Sequence, residues 1–323
     1  MQFALPPRKS SHTPPYAPRS SRFSLQRRRQ LKTIALAGFA FVSILFILSR
    51  IFSSSSGRAT SAVPSGTPNV VLVTALDHEL LSDSYIQKIK RNREDYAARH
   101  GYATFFANTQ DYLYALNNAP RSWTTVPAVR HAMTTYPHST YFFYLSPHAL
   151  IMNPRISLTS HVMDNKRLES LMLKDIPVVP PDSVIKTFSH LKGNDVELVL
   201  SQDAEDLSSG SFIIKQGDWA RFFLDVWFDP LYRSYNFAKA EKHALDHIVQ
   251  WHPTILTKLA LVPQRIFNSY SPGSPASTSN STYQEGDFVI HFAACDNDIT
   301  LNCEQEMLPY YNKWHESYGQ KAA

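Results

Sequence analysis

Charged side chains disappear from the chain after Lys32. From Thr33 to Ser49 seventeen residues run without one, and Arg50-Ile51-Phe52 follow. At about 1.5 Å per residue a helix over 33–52 covers roughly 30 Å, one hydrocarbon thickness, so the run predicts a membrane-spanning segment. Its short length suits the thin membranes of the early secretory pathway. Residues 53–68, rich in Ser, Gly, Thr and Pro, read as a flexible stem.

From Asn69 the pattern becomes that of an α/β domain, expected to extend over 69–318 with a short tail at 319–323. Asn69-Val70-Val71-Leu72-Val73-Thr74-Ala75 is a buried-strand run. Apolar or aromatic residues at Tyr85, Ile86, Ile89, Tyr96 and Ala97 then predict a helix, capped by Ser82 and ended by Gly101. Ala103–Ala107 supplies a second strand, and strand, helix and strand make a βαβ unit of a parallel sheet. A second helix is expected from Pro127, with Thr125 as its cap and Val126, Val129, Met133 and Tyr136 on one face. The aromatic strand Thr140–Leu145 breaks at Ser146-Pro147-His148. Further strands are expected at Val196–Leu200, Ser211–Ile214 and Asp287–Phe292, and helices near 217–228 and 240–251. Ser269–Tyr283 reads as an exposed loop carrying the glycosylation sequon Asn280-Ser281-Thr282.

Charge changes the picture only once it is divided. The 323 residues carry a formal +5, but residues 1–32 hold eight Lys/Arg and no acid. That leaves 24 basic against 27 acidic residues beyond them, so the basic character belongs to a tail and nucleic-acid binding is not expected. All eight basic residues precede the apolar run, which places the N-terminus in the cytosol and the α/β domain in a lumen. A cleaved secretory signal is the competing reading, but its basic region is ordinarily a few residues, against more than thirty here.

Two cysteines rule out a disulfide scaffold and a four-cysteine zinc site. Cys295 and Cys303 are expected to form a disulfide closing a small loop, with a free thiol pair as the alternative. With ten glycines and no GxGxxG or GKS, a nicotinamide enzyme and a P-loop ATPase are unsupported. Ser209-Gly210-Ser211 lacks the GxSxG elbow of a serine hydrolase. In open α/β sheets ligands sit beyond the carboxyl ends of the strands. That directs attention to Asp77-His78, Ser146-Pro147-His148 and His291-Phe292.

Several segments, in order, resemble glycosyltransferase family 34, the fungal Golgi galactosyl- and α-1,6-mannosyltransferase group. They are Asn92-Arg93 with Tyr96-Ala97 and His100-Gly101-Tyr102, Trp123 with Val126-Pro127, Arg130 and Ala132-Met133, and Ala149–Pro154. Ser201-Gln202-Asp203, Gly210-Ser211-Phe212, Leu224-Asp225 with Trp227, Asp229 and Pro230, Pro263-Gln264-Arg265 with Asn268 and Tyr270, and Gly286–Ala293 continue the series. The resemblance implies a GT-A fold with a Rossmann-like central sheet, a nucleotide-sugar donor, Mn²⁺ and retention of anomeric configuration. In such chemistry a dication stabilises the departing diphosphate.

The family's two D-x-D aspartates fall on Ser146 and His148, and its Asn in L-N-x-G falls on Ser208. By the resemblance His148 and His291 are metal candidates. Ser146, Gly210, Arg93 and Arg130 are expected near the donor, although either arginine equally suits a core ion pair. Asp203 and Asp206 are expected near the sugar, as the catalytic candidates. Asp225 and Asp229 read as structural. The function implied is α-1,6-mannosyl transfer from GDP-mannose to fungal N-glycan mannan, within a Golgi complex of mannosyltransferase subunits. Two rivals are a UDP-galactose-dependent galactosyltransferase and a non-catalytic subunit, the latter because the D-x-D carboxylates are missing.

Overall fold

The computed structural model describes residues 30, 32–44, 63–297 and 301–319. Two units divide at Val63. In the first, residues 32–44 are helical. The remainder of the expected span, 45–52, lies outside the described residues, as do most of the basic tail, stem residues 53–62 and tail residues 320–323. Among the described residues no helix is long and apolar enough to cross a membrane. The expected spanning helix is therefore not supported by the structure.

In the second unit all seven residues of β1 (Val70–Leu76) are buried. A continuous apolar run of this kind forms where both faces of a parallel strand are covered. Val71, Val73 and Ala75 enter one core, with helix α2 (Thr125–Thr135) and strand β6 (Leu207–Lys215). Val70 and Leu72 enter another, with Tyr96 and Ala97 of helix α1 (Asp83–His100). Alternate side chains of one strand thus fill two cores. The main sheet runs β2 (Ala103–Asn108), β1, β3 (Tyr141–Leu145), β6, β5 (Leu198–Gln202), β7 (Leu259–Leu261). All pairings are parallel except the two made by β6. A small second sheet joins β4 (Ala149–Ile151), β9 (Val289–His291) and β8 (Ser269–Tyr270).

The first βαβ unit forms as the pattern predicts. Ser82 accepts a hydrogen bond from the Tyr85 N–H at 3.0 Å, and Gly101 ends α1 with φ 65°, where a side chain would be strained. The second helix differs. It begins at Thr125 after a 3₁₀ turn, and Pro127 sits inside its first turn. Thr125 does not cap it, because its hydroxyl bonds the Tyr144 phenol at 2.9 Å. The helices α3 (Asn165–Leu171), α4 (Asp218–Trp227), α5 (Ala240–Trp251) and α6 (Cys303–Trp314) complete the principal set.

The stretch 269–283 is not an exposed loop throughout. Ser269 and Tyr270 form β8, and Ser271, Ser274 and Ser281 are buried. These hydroxyls go inside because they satisfy one another: Ser271 and Ser274 meet at 2.7 Å, and Ser269 donates to Asp287 at 3.0 Å. Asn280 itself is exposed.

Candidate functional site

The chain leaves β3 at Ser146, whose N–H donates to the Gly210 carbonyl at 2.8 Å across the antiparallel pair with β6. Register in the small sheet sets Ala149 opposite His291 and Tyr270 beside it. Ser146, Gly210 and His291 are therefore brought together by pairing alone. Gly210 is required by proximity: a Cβ there would lie 2.2 Å from the His291 ring carbon Cε1.

A residue that sequence reasoning missed closes this cluster. Asp296, on the short helix Ala294–Asn297, accepts from the Ser146 hydroxyl at 2.7 Å and meets His291 Nε2 at 2.6 Å. The other ring nitrogen of His291, Nδ1, faces the Asn268 amide oxygen at 2.9 Å. His291 is 1% exposed, whereas the Asp296 side chain keeps 31%. Burial works to raise the Asp296 carboxyl, but the charge and hydrogen bond of His291 outweigh it and hold the group down to about 2. The disulfide Cys295–Cys303, with Cα atoms 5.9 Å apart, ties this turn to the start of α6. No sequence motif flagged Asp296; its only signal was its place beside a cysteine.

His148 meets Tyr85 instead, its Nδ1 lying 2.9 Å from the phenol oxygen. That hydroxyl donates to the Pro147 carbonyl at 3.1 Å. Burial lowers the His148 pKa. Arg93 is wholly buried and donates to the carbonyls of Ser146 at 3.1 Å and Ala149 at 2.7 Å. It clasps the loop from beneath, with neutral carbonyls as its partners, and fits neither the donor role nor the ion pair expected of it. Asn92 holds both the N–H and the carbonyl of Ile151. Arg130 pairs with Asp225 at 3.3 Å on exposed surface and is not brought to the cluster. Asp229 caps a short helix through the Leu231 N–H. Of the first strand end, Asp77 is taken up by Arg121 at 2.8 Å and His78 is exposed.

A second cluster forms where β5 turns into β6. The Asp203 carboxylate receives the Tyr270 hydroxyl at 2.8 Å, Lys242 at 2.8 Å and the N–H groups of Glu205 and Asp206. Burial pushes its pKa up, but Lys242 and these N–H donors bring it below the ordinary value. Asp206 is shared by Lys239 and Lys242. Asp246, on α5, accepts from the Leu207 N–H at 2.9 Å and is raised chiefly by burial. On the same helix Glu241 has one carboxylate oxygen, Oε2, buried without a hydrogen-bond partner. Its other oxygen faces Ser209 at 3.5 Å, and burial pushes the carboxyl up to about 7. Asn268 donates to Ser208 at 2.7 Å, and the Tyr270 phenol oxygen lies 3.4 Å from the same hydroxyl, so the two clusters form one polar network.

The atoms expected to hold Mn²⁺ do not fit it. Metal-binding imidazole must present a bare nitrogen. Both nitrogens of His291 instead face acceptors. Around His148 the two cysteine sulfurs are spent in the disulfide, and Asp296, whose charge also acts on His148, is taken up by His291 and Ser146. Asp206, His243 and Asp246 gather within 4.8 Å of one another, but two ammonium groups already compensate Asp206. A groove of about 810 Å³ between α1 and α6, lined by Lys88, Arg91, Glu94 and His315, touches neither cluster.

Comparison with known proteins agrees with the fold. The solved structure of a glycosyltransferase involved in glycosylation of the major capsid of PBCV-1 superposes with a TM-score of 0.50 at 13% identity, covering 75% of this chain and all of that one. An uncharacterized alpha-1,2-galactosyltransferase of Schizosaccharomyces pombe is 32% identical over 232 residues, 72% of this chain and 69% of that protein. The alpha-1,2-galactosyltransferase of the same yeast is 29% identical over 70% of this chain, which spans 60% of that relative's length. The probable alpha-1,6-mannosyltransferase MNN11 of Saccharomyces cerevisiae is 30% identical over 279 residues, 81% of this chain and 65% of that protein. The sequence profile of the galactosyl transferase GMA12/MNN10 family matches residues 66–302. The chain belongs to this family of glycosyltransferases.

Proposed function

We propose that the chain transfers mannose from GDP-mannose to a fungal mannan hydroxyl, forming an α-1,6 linkage with retention, in the Golgi lumen. The observation that carries this reading is the polar network at the strand ends, which gathers Asp203 and Asp206 where β5 turns into β6, with Glu241 facing Ser209 of β6, at the edge where an α/β sheet receives its ligand. In the transfer the bond from sugar C1 to the diphosphate oxygen breaks, and the acceptor hydroxyl forms the new C1–O bond. Its proton passes to the leaving diphosphate. Asp203, oriented by Tyr270 and Lys242, and Asp206 lie toward the sugar. Glu241 is able to hold a proton near neutral pH.

The mannosyl donor is favoured by the extent of the MNN11 match, 81% of the chain. A galactosyl donor is favoured by the galactosyltransferase relatives at up to 32% identity. A non-catalytic subunit of a mannosyltransferase complex is favoured by Ser146 and His148 at the D-x-D positions. Incubation of the full chain with labelled GDP-mannose or UDP-galactose and an α-mannan oligosaccharide separates them. Mannosyl transfer that Asp203→Asn abolishes is the expected result. Galactosyl transfer alone selects the second reading, and no transfer with either donor selects the third.

The lumenal location is supported by the uncharged run Thr33–Ser49 behind a basic tail. Asn280 is exposed on its loop, so it should carry a glycan when the chain is made in a yeast. Endoglycosidase should increase the gel mobility of the wild type and leave Asn280→Gln unchanged. Identical mobility of the two before treatment would count against the lumenal location.

A further inference from the structure

We propose that the strand-end site holds no resident divalent cation, because the Ser146–Asp296–His291 knot occupies the cation's place with an internally neutral set of charges. This rests on the donor-site reading only for where the site lies. Every ligand that the family pattern assigns to a metal has been redirected. The Ser146 hydroxyl donates to Asp296 Oδ1 at 2.7 Å, and Asp296 Oδ2 lies 2.6 Å from His291 Nε2. His148 is turned to Tyr85 at 2.9 Å.

Proton counting makes the neutrality explicit. His291 Nδ1 faces the Asn268 amide oxygen, and the same amide's nitrogen is committed to Ser201 and Ser208. Nε2 faces a carboxylate. Two acceptors call for two ring protons, so imidazole and carboxylate together sum to zero charge. A dication held by two aspartates is neutral in the same way. Adding a dication to the knot would instead leave excess positive charge in a site where His291 is 1% exposed, and an uncompensated buried charge is strongly unfavourable. It would also have to displace a ring proton and break two short hydrogen bonds. One carboxylate and one hydroxyl are poor recompense for a hard cation.

The carboxylate comes from outside the β3 loop. Asp296 sits next to Cys295, whose disulfide to Cys303 anchors the turn to α6. Gly210 leaves room for the ring that receives it. Charge lost from residues 146 and 148 is therefore supplied from residue 296, on the opposite side of the same site, in a form that serves a proton and not a metal.

The test uses the full chain with Mn²⁺ alone, so failure of the donor reading leaves its result standing. In protein labelled with ¹⁵N-histidine, the His291 Nε2–H proton should resonate far downfield. It should persist in EDTA and escape selective broadening by Mn²⁺, and calorimetry should show no Mn²⁺ binding in the micromolar range. Asp296→Asn should move the resonance upfield without creating Mn²⁺ affinity. The triple variant Ser146→Asp, His148→Asp, Asp296→Asn should bind Mn²⁺ at least about tenfold more tightly than the wild type, since it restores two anionic oxygens and frees the ring. Selective broadening of the His291 signal by micromolar Mn²⁺ in the wild type overturns the proposal. So does Mn²⁺ binding that Asp296→Asn abolishes, which would make Asp296 a ligand.

Discussion

The two polar clusters at the strand ends treat negative charge in different ways. Around His291 one carboxylate is spent on an imidazole and a serine hydroxyl. Around Asp203 several carboxylates are held by Lys239 and Lys242, whose side chains keep 32% and 16% exposure. The first pairing is short, buried on the histidine side and joined to the second through Asn268. The second includes the partly exposed Lys239, which an incoming ligand can re-partner at modest cost because exposed ion pairs contribute little to stability, whereas Lys242 holds the buried Asp203. Ser146 and His148 stand where the resembled pattern has carboxylates, while the second cluster holds Asp203, Asp206 and Asp246.

Substitutions that strike only the first cluster should have the largest effects. Arg93→Met removes the donors for the Ser146 and Ala149 carbonyls and leaves them buried. A loss of about 1–3 kcal/mol in urea denaturation is expected, since the Ser146 carbonyl keeps the Ala149 N–H at 3.1 Å while the Ala149 carbonyl loses its side-chain donor. A loss under about 1 kcal/mol would show that the loop is held from elsewhere. Gly210→Ala drives a methyl group into the His291 ring and should cost about 1–3 kcal/mol by the same measurement. It should also shift the histidine resonance.

Acid and base titrations should separate Glu241 from Asp296 by sign. Glu241 has its pKa raised by burial from 4.5 to about 7, so the folded state binds its proton more tightly. The stability that follows is present below pH 4.5 and lost as pH rises through 7. Glu241→Gln should therefore flatten a fall of about 1–3 kcal/mol between those limits. Asp296 runs the other way: lowered from 3.8 to about 2, it stabilises above its ordinary value, and that contribution is lost as pH falls toward 2. A wild type whose stability is level from pH 4.5 to 7.5 would remove Glu241 from the buried set. The smallest effect is expected from Lys239→Met, about 1 kcal/mol, because Lys242 stays on Asp206. The His291 resonance should not move in that variant, and a shift would mean the clusters are coupled through Asn268 and Tyr270.

Legibility in the sequence followed the range of the interactions. The motif Asn92-Arg93 with Tyr96, His100 and Tyr102 pointed to the family, and the structure gives its residues a scaffolding task. Tyr96 bonds the Ile156 carbonyl and the Leu158 N–H, and His100 bonds the Pro154 carbonyl. Arg93 resembled a diphosphate ligand because sequence shows a charge and not its burial. Ser269–Tyr283 looked exposed because its serines are polar, whereas their hydroxyls satisfy one another inside.

By itself the sequence determined the alternation of strands and helices, the caps of α1, the family and the absence of carboxylates at residues 146 and 148. These depend on local periodicity, on backbone preference at single residues and on ordered motifs, all of which are written within a few turns of chain. Only the tertiary structure decided that Asp296 would meet Ser146, 150 positions earlier. It alone set Gly210 against the His291 ring and turned Arg93 inward. Those outcomes depend on strand register, on a disulfide across residues 295 and 303, and on the requirement that each buried polar atom find a partner, wherever in the chain that partner lies.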